Sequence, residues 1–396
     1  MLMVPNFRQI KVYLRVFLYS KSWFLFLMRL TGYRRLELIA IEEDAKVIKS
    51  VCLDGVYSIT SPLSNRVASG QSKEVNVYEL SDVIVSAYAS VFERDGVLLL
   101  YNEKIKNKIR LKINGVDEVA GEYYSRASYD KFVDKALFLG GDGAFNWYHF
   151  FIECLPRIIA FKAAGLDKSI PIIVPVECKN IPQFHEALNA LCFPAKLIFM
   201  EKKDRLKIKE IYLVDDFFCA PYNMRRGYFP SVSDYSVNLG FLRLFAEEFL
   251  SKIEPELKFP KRVFLARSND RRNYNQDELI GIARKYDFEV VFPEKYSVLE
   301  QISIFAGADL IVGPSGAAWS GLIFCGSTAR CLSWLPAEYS EFLCFKALSA
   351  VSGCTLNYIE ALHDKEINST GDLYGIDYRV QADVFEASLL TLIDRQ

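Results

Sequence analysis

The sequence predicts an α/β protein made of two parallel-sheet halves of the doubly wound type, with a strand-rich N-terminal region in front of them. Three observations carry this reading. Short apolar runs broken by turn residues fill Leu36 to Arg110, and from Lys135 apolar runs begin to alternate with helical stretches. That alternation becomes regular after Lys261 and is the signature of a parallel sheet with crossovers. The chain has 396 residues, enough for two domains with sizeable cores.

Taken in order, the first 35 residues form a basic, aromatic segment. Val12 to Leu30 is apolar but is interrupted by Arg15, Lys21 and Arg29. Central charges of this kind cost about 2.5–3.5 kcal/mol each in a spanning helix, and no small-residue cleavage site follows. With Arg8, Lys11, Arg34 and Arg35 nearby, the segment reads as a helix lying on an anionic membrane surface, or as a helix packed on the core or a paired strand. LELIAI, VYSI, DVIVSAYASVF and, after Asp95-Gly96, GVLLLY read as strands and hairpins. A strand ending at Gly140-Gly141-Asp142-Gly143 leads into a helix from Asn146 to Ala164, and further strands are PIIVPV, KLIFM and EIYLVDD. A long helix is expected from Val232 to Ile253, then a linker marked by Pro255 and Pro260. Beyond it, RVFLA, FEVVF, DLIVG, RCLSWL and TLNYI alternate with helices over Asp277–Tyr286, Val298–Ala308, Ala317–Phe324 and Glu341–Ala350, and Gln381–Ile393 closes the chain as an amphipathic helix. The expected domains are therefore 36–256, 257–378 and a closing helix at 379–396.

Composition excludes some functions. A formal net charge of −1 provides no field to recruit nucleic acid. His149, His185 and His363 are too scattered for a histidine metal cage. The nine cysteines are odd in number and contain no C-x-x-C pair, so they read as small hydrophobes in a reduced, cytoplasmic setting, without zinc-ligand spacing. No strand is followed by G-x-G-x-x-G with an acidic residue about 20 positions on, which argues against a nucleotide-dependent dehydrogenase.

Four stretches could carry chemistry. Gly313-Pro314-Ser315-Gly316-Ala317 runs from a buried strand into a helix; small residues there let backbone N–H groups approach an anion. Arg267 to Asn275 packs three arginines and three asparagines after another strand, and guanidinium groups suit phosphate recognition. Both turns lie at strand carboxyl ends, where open α/β sheets bind ligands. On a helix, Asn146, His149 and Glu153 share one face; a histidine beside a carboxylate serves as a base or orients one, or the two form only a surface pair. Asp142 is a further carboxylate just before them. Glu294 could accept from ribose hydroxyls, while Ser297 and Glu300 fit a helix capping box.

These blocks, in this order, resemble glycosyltransferase family 61, a family common in capsule and other polysaccharide loci. Its N-x-Y-H-x-x-x-[D/E]-x-x-P-R block is matched by Asn146, Tyr148, His149, Glu153, Pro156 and Arg157. Its strand ending in arginine, with a later arginine and asparagine and a glutamate–leucine pair, is matched by Arg267, Arg272, Asn273, Glu278 and Leu279. Pro293, Glu294, Tyr296, Ser297, Val298, Glu300 and Gln301 match a third block. Ala308, Ile311, Val312, Gly313, Gly316, Ala317, Leu322 and Phe324 match a fourth. The similarity spans roughly Ser81 to Tyr358. Ser315 stands where the family usually has histidine.

The resemblance implies a GT-B fold, two Rossmann-like domains facing across a cleft, and an inverting transfer from a nucleotide-sugar to a glycan or lipid-linked acceptor. It implies a nucleotide site at Arg267, Arg272, Asn273, Glu294, Gly313, Ser315, Gly316 and Ala317, which would stabilise the leaving diphosphate without a metal. The expected base is Glu153 or His149, with Asp142 third. The closing helix is expected to pack back on the N-terminal domain. The N-terminal segment fits an enzyme working at the inner face of the membrane. The rival reading, favoured by Ser315, is a GT-B-fold binding or scaffold protein without turnover.

Overall fold

The computed structural model describes residues 28, 31–51, 56–72, 74–86, 88–89, 91–100, 108, 116–119, 122–191, 195–219, 224–254, 259–268, 272–368, 370–373 and 375–394. Of the basic N-terminal segment 1–35, only Met28 and residues 31–35 lie among them. Among the described residues no helix is long and apolar enough to cross a membrane.

The N-terminal half opens as a mostly antiparallel construction. It holds β1 (Arg34–Ala40), β2 (Lys46–Val51), the hairpin of β3 (Val56–Thr60) and β4 (Val67–Gln71), β5 (Val75–Ser86), β6 (Val91–Arg94), β7 (Val97–Leu100), β8 (Val116–Val119) and β9 (Glu122–Ser125). Asp95 and Gly96 join β6 to β7 with positive φ of 45° and 90°, the two-residue turn whose twist suits a hairpin. Next come β10 (Lys131–Phe138), helix α1 (Arg157–Ala163), β11 (Ile172–Pro175), α2 (Pro182–Ala190), β12 (Leu197–Met200) and β13 (Arg205–Val214). All of these strands except β3 and β4, which pair only with each other, join one 11-stranded sheet in the order β12-β11-β10-β13-β5-β6-β7-β1-β9-β8, with β2 also on β5. Within it β10, β11, β12 and β13 are parallel. Their order places a reversal between β10 and β13, where the chain, having built outward on one side of β10, continues on the other. The link from β12 to β13 is the short turn 201–204 with no crossover helix, so this half is Rossmann-like only in part.

The predicted helix from Val232 is shorter than expected. Val232–Asp234 is a single 3-10 turn, Ser236–Val237 (β15) pairs with Phe218–Cys219 (β14), and α3 runs Leu239–Leu250. The start is set by Asn238, whose side chain accepts from Phe241 N at 2.9 Å, an N-cap that apolar periodicity does not reveal.

The C-terminal half follows the prediction closely. β16 (Arg262–Leu265), α4 (Gln276–Arg284), β17 (Glu289–Val291), α5 (Val298–Gly307), β18 (Leu310–Val312), β19 (Arg330–Leu335), α6 (Cys344–Ser352) and β20 (Thr355–Glu360) build a five-stranded parallel sheet ordered β17-β16-β18-β19-β20. Ala317–Phe324 is a 3-10 helix rather than an α-helix. Ser297 and Glu300 form the predicted capping box of α5. The closing helix α7 (Ala382–Asp394) corrects one expectation. It packs on its own half, with Phe385 5.9 Å from Trp334 and 6.4 Å from Phe264 between ring centroids. Its Phe385, Leu389 and Leu392 share a core with Leu279 and Ala283 of α4, which buries an apolar stripe next to the sheet it follows.

The two halves share a hydrophobic core. Phe151 stacks on Trp147 at 4.7 Å and meets Phe245, Phe249 and Phe324 at 5.3, 5.5 and 6.0 Å. Phe151→Ala removes this junction of α3, the 3-10 helix and the 147–154 segment, and should cost about 3–5 kcal/mol, read as a lower urea midpoint.

Candidate active site

The segment after β10 forms the first cluster. The predicted helix begins at Trp147 but becomes a π-helix over His149–Cys154, then α1 after Pro156. Pro156 has no N–H to donate. The wider turn instead closes Leu155 N on Phe150 O at 2.8 Å, a local irregularity often found at functional sites. His149 and Glu153 do share a face: Nδ1 and Oε2 lie 2.8 Å apart. Burial pushes the His149 pKa down, but the Glu153 charge, the hydrogen bond to it and the Asp142 charge outweigh burial and leave it raised. His149 therefore tends toward imidazolium, which suits it to orient Glu153 rather than to act as a base itself. Asn146 spends its side chain on Tyr148 N at 3.0 Å, a helix-start contact.

A raised histidine stabilises the fold in one pH window. Its contribution is complete below the unfolded imidazole value of about 6.5 and disappears as pH rises through the higher folded value. Urea midpoints of the protein should fall between about pH 6 and the alkaline side, and Glu153→Gln should flatten that slope.

The glycine loop before the helix is part of this cluster. A Cβ on Gly143, whose φ is +77°, would meet the His149 ring at 2.7 Å. Arg157, only 2% exposed, donates to Gly140 O at 2.5 Å and pairs with Asp216 at 3.7 Å. Asp216 and Asp215 leave the carboxyl end of β13, beside β10, at the reversal of strand order. Sequence reasoning read them only as the end of a strand. Burial, opposed by Arg157 and reinforced by Glu153 and Asp215, pushes the Asp216 carboxyl up to about 7. Burial likewise raises Asp215, which accepts from Asn76 and the Tyr78 hydroxyl, each at 3.3 Å. Both aspartates line a pocket of about 770 Å³ together with Tyr57, Asp234, Tyr235 and Asn238, large enough for a small-molecule ligand.

The second cluster lies at the reversal of the C-terminal sheet, between β16 and β18, and gathers most of the predicted nucleotide residues. Arg267, after β16, donates through Nη2 to Ser315 O in the glycine turn after β18, and through Nη1 to Arg272 O at 3.4 Å. The guanidinium straps the two loops together. Ser268 Oγ donates to Glu294 after β17, tying in the third loop. Arg272 has a left-handed φ of 60°, and its buried Nε has no hydrogen-bond partner among the described residues. Arg267, Arg272 and Asn275 border a pocket of about 410 Å³. Asn273 is pinned through its backbone to Asp377 and Tyr378 at 2.8 and 3.0 Å. Ser315 is buried, engaged through its carbonyl. Ala317 starts the 3-10 helix.

Gly313 is required by close approach: a Cβ there would sit 2.7 Å from Leu265 Cβ and 2.9 Å from Leu265 O. Gly313→Ala must push β16 and β18 apart. It should lower the melting temperature and weaken ligand binding at the strap together, as a thermal-shift titration would register.

Between the two clusters runs a tight seam where Trp147 and Phe151 meet Val298, Gln301, Ala318 and Phe324. Residues 147–332, which cover the His149–Glu153 pair, Asp216, Arg267 and the glycine turn, match the family model described as Glycosyltransferase 61. No curated protein matches the chain.

Proposed function

Since residues 147–332 belong to glycosyltransferase family 61, we propose that the protein transfers a sugar from a nucleotide-sugar to an acceptor hydroxyl with inversion at the anomeric carbon. The observation that carries this reading is the strap from Arg267 to Ser315, which gathers three loop ends and Arg272 at the strand reversal of a parallel sheet. Ligands bind at such reversals. Arg267, Arg272 and the backbone of Gly313, Ser315, Gly316 and Ala317 hold the diphosphate, and Glu294 and Asn273 border the nucleoside. The acceptor enters the pocket beside Asp216. Glu153, oriented by His149, takes the proton of the acceptor hydroxyl while Asp142 holds the imidazolium. The hydroxyl oxygen forms the new bond to the anomeric carbon as the bond to the diphosphate oxygen breaks. Arginine and backbone N–H groups neutralise the charge that develops there.

In this reading 36–256 is the acceptor side and 257–378 the donor side of a GT-B-like pair, with 379–396 bracing the donor side. The basic 1–35 segment brings the enzyme to the inner membrane face, where lipid-linked acceptors of surface polysaccharide synthesis are found. The parallel strands of both halves support the pairing, although the shared core makes it tighter than two free domains.

A second reading, a binding protein without turnover, is favoured by Ser315, which offers a buried hydroxyl and an occupied carbonyl where a charged side chain would assist the leaving group. The test is a thermal-shift panel of nucleoside diphosphates and nucleotide-sugars followed by product analysis. Stabilisation by one nucleotide, with about 2.7 kcal/mol expected at a hundredfold excess over Kd, and sugar transfer from its conjugate support the enzyme. Stabilisation without transfer to any acceptor supports the second reading, and no stabilisation by any nucleotide overturns both.

A further inference from the structure

Three cysteines far apart in the sequence converge in the C-terminal half. Cys325 follows the 3-10 helix Ala317–Phe324, Cys331 lies on β19 and Cys354 precedes β20. Their sulfur atoms all lie within 4.8 Å of one another. The residues are 7%, 0% and 6% exposed and sit inside the main hydrophobic core. We propose that Cys325, Cys331 and Cys354 form a three-thiolate site for a thiophilic divalent cation of the zinc class, separate from the glycosyl-transfer site.

Zinc binds thiolates at about 2.3 Å, which sets neighbouring sulfurs roughly 3.8 Å apart in a tetrahedral arrangement; the observed cluster needs only a small contraction to reach this. A divalent cation held by the three sulfurs displaces their thiol protons to solvent. Three thiolates around such a cation carry one net negative charge, and two groups beside Cys354 answer it. Ser352 is a hydrogen-bond partner of the Cys354 sulfur, and the half-buried Lys346 of α6 interacts electrostatically with it. Among the described residues the cluster supplies three of the four ligands that zinc takes. The sulfurs lie by the starts of β19 and β20, whereas the Arg267 strap joins loops after the ends of β16 and β18. Bound metal would therefore staple the 3-10 helix to the sheet without touching the donor.

The experiment uses the full chain, purified reduced and stripped by a chelator. Co²⁺ titration should give a thiolate-to-cobalt charge-transfer band that saturates at one equivalent and is displaced by Zn²⁺. Cys331→Ser and Cys354→Ser should each weaken Zn²⁺ at least tenfold, with folding checked by circular dichroism. In case both variants fail to fold, alkylation of the unaltered chain with and without Zn²⁺ is mapped by mass spectrometry. Zn²⁺ protection of Cys325, Cys331 and Cys354 together upholds the site. Absence of a thiolate band, a band that survives in both folded variants, or protection mapping to other cysteines overturns it. None of these readouts depends on sugar transfer, so the outcome is independent of the proposed activity.

Discussion

Arg267→Ala should abolish measurable sugar transfer and lower nucleotide affinity by two orders of magnitude or more. The effect is large because the guanidinium does two things at once. In the proposed site it carries charge beside the diphosphate, and in the structure it holds the β16 loop against the glycine turn through Ser315 O and the Arg272 carbonyl. Loss of one preorganised donor to a developing oxyanion typically costs about 10²–10³ in rate, and loss of the strap adds the disorder of both loops. Burial holds the Arg267 pKa below the usual guanidinium value, so an anionic ligand should be welcome there. Isothermal titration with the nucleotide found in the thermal-shift panel gives the affinity, and single-turnover assays give the rate. Arg267→Lys should recover part of the charge but not the two-loop bridge, and so should remain far below the unaltered protein in both assays. Full nucleotide affinity in Arg267→Ala would remove the donor site from this crevice.

Glu153→Gln should lower kcat by about 10²–10⁴, the span of general-base catalysis, and leave nucleotide affinity unchanged. The amide keeps the shape beside His149 but cannot take a proton. The pH dependence separates Glu153 from its neighbour. Asp216 loses its proton at about pH 7, in the pocket proposed for the acceptor and within electrostatic reach of Glu153. Activity should rise as pH increases through that value, because ionised Asp216 places a negative charge in the pocket where the acceptor hydroxyl gives up its proton. Asp216→Asn should erase this inflection while retaining more kcat than Glu153→Gln. An inflection unchanged in Asp216→Asn would assign it to another group, and equal losses in both variants would favour Asp216 as the base.

The sequence by itself determined everything that depends on local periodicity and on turn chemistry. The strand–helix alternation after Lys261, the Asp95-Gly96 hairpin, the Ser297–Glu300 cap and the shared face of His149 and Glu153 all follow from residues within a few positions of each other. Neighbouring backbone geometry fixes such features before any core forms. The arginine-rich loop after β16 and the glycine turn after β18 were legible as loops at strand ends for the same reason, though their mutual strap through Arg267 was not.

Tertiary structure alone decided which loops became neighbours. Asp216 joins Arg157 and Glu153 because β13 lies beside β10 in the sheet, and strand order reflects how whole faces pack rather than any local pattern. The convergence of Cys325, Cys331 and Cys354 has the same origin, since β19 and β20 pair along their length. The π-helix at His149–Cys154 and the docking of α7 on its own half also follow from packing. The first accommodates Pro156 while Phe151 and Trp147 meet the other half, and the second buries Phe385 against Trp334 and Phe264. Local signals specify elements cheaply, but contacts between distant residues are chosen by the sum of buried apolar area, which no short stretch of sequence contains.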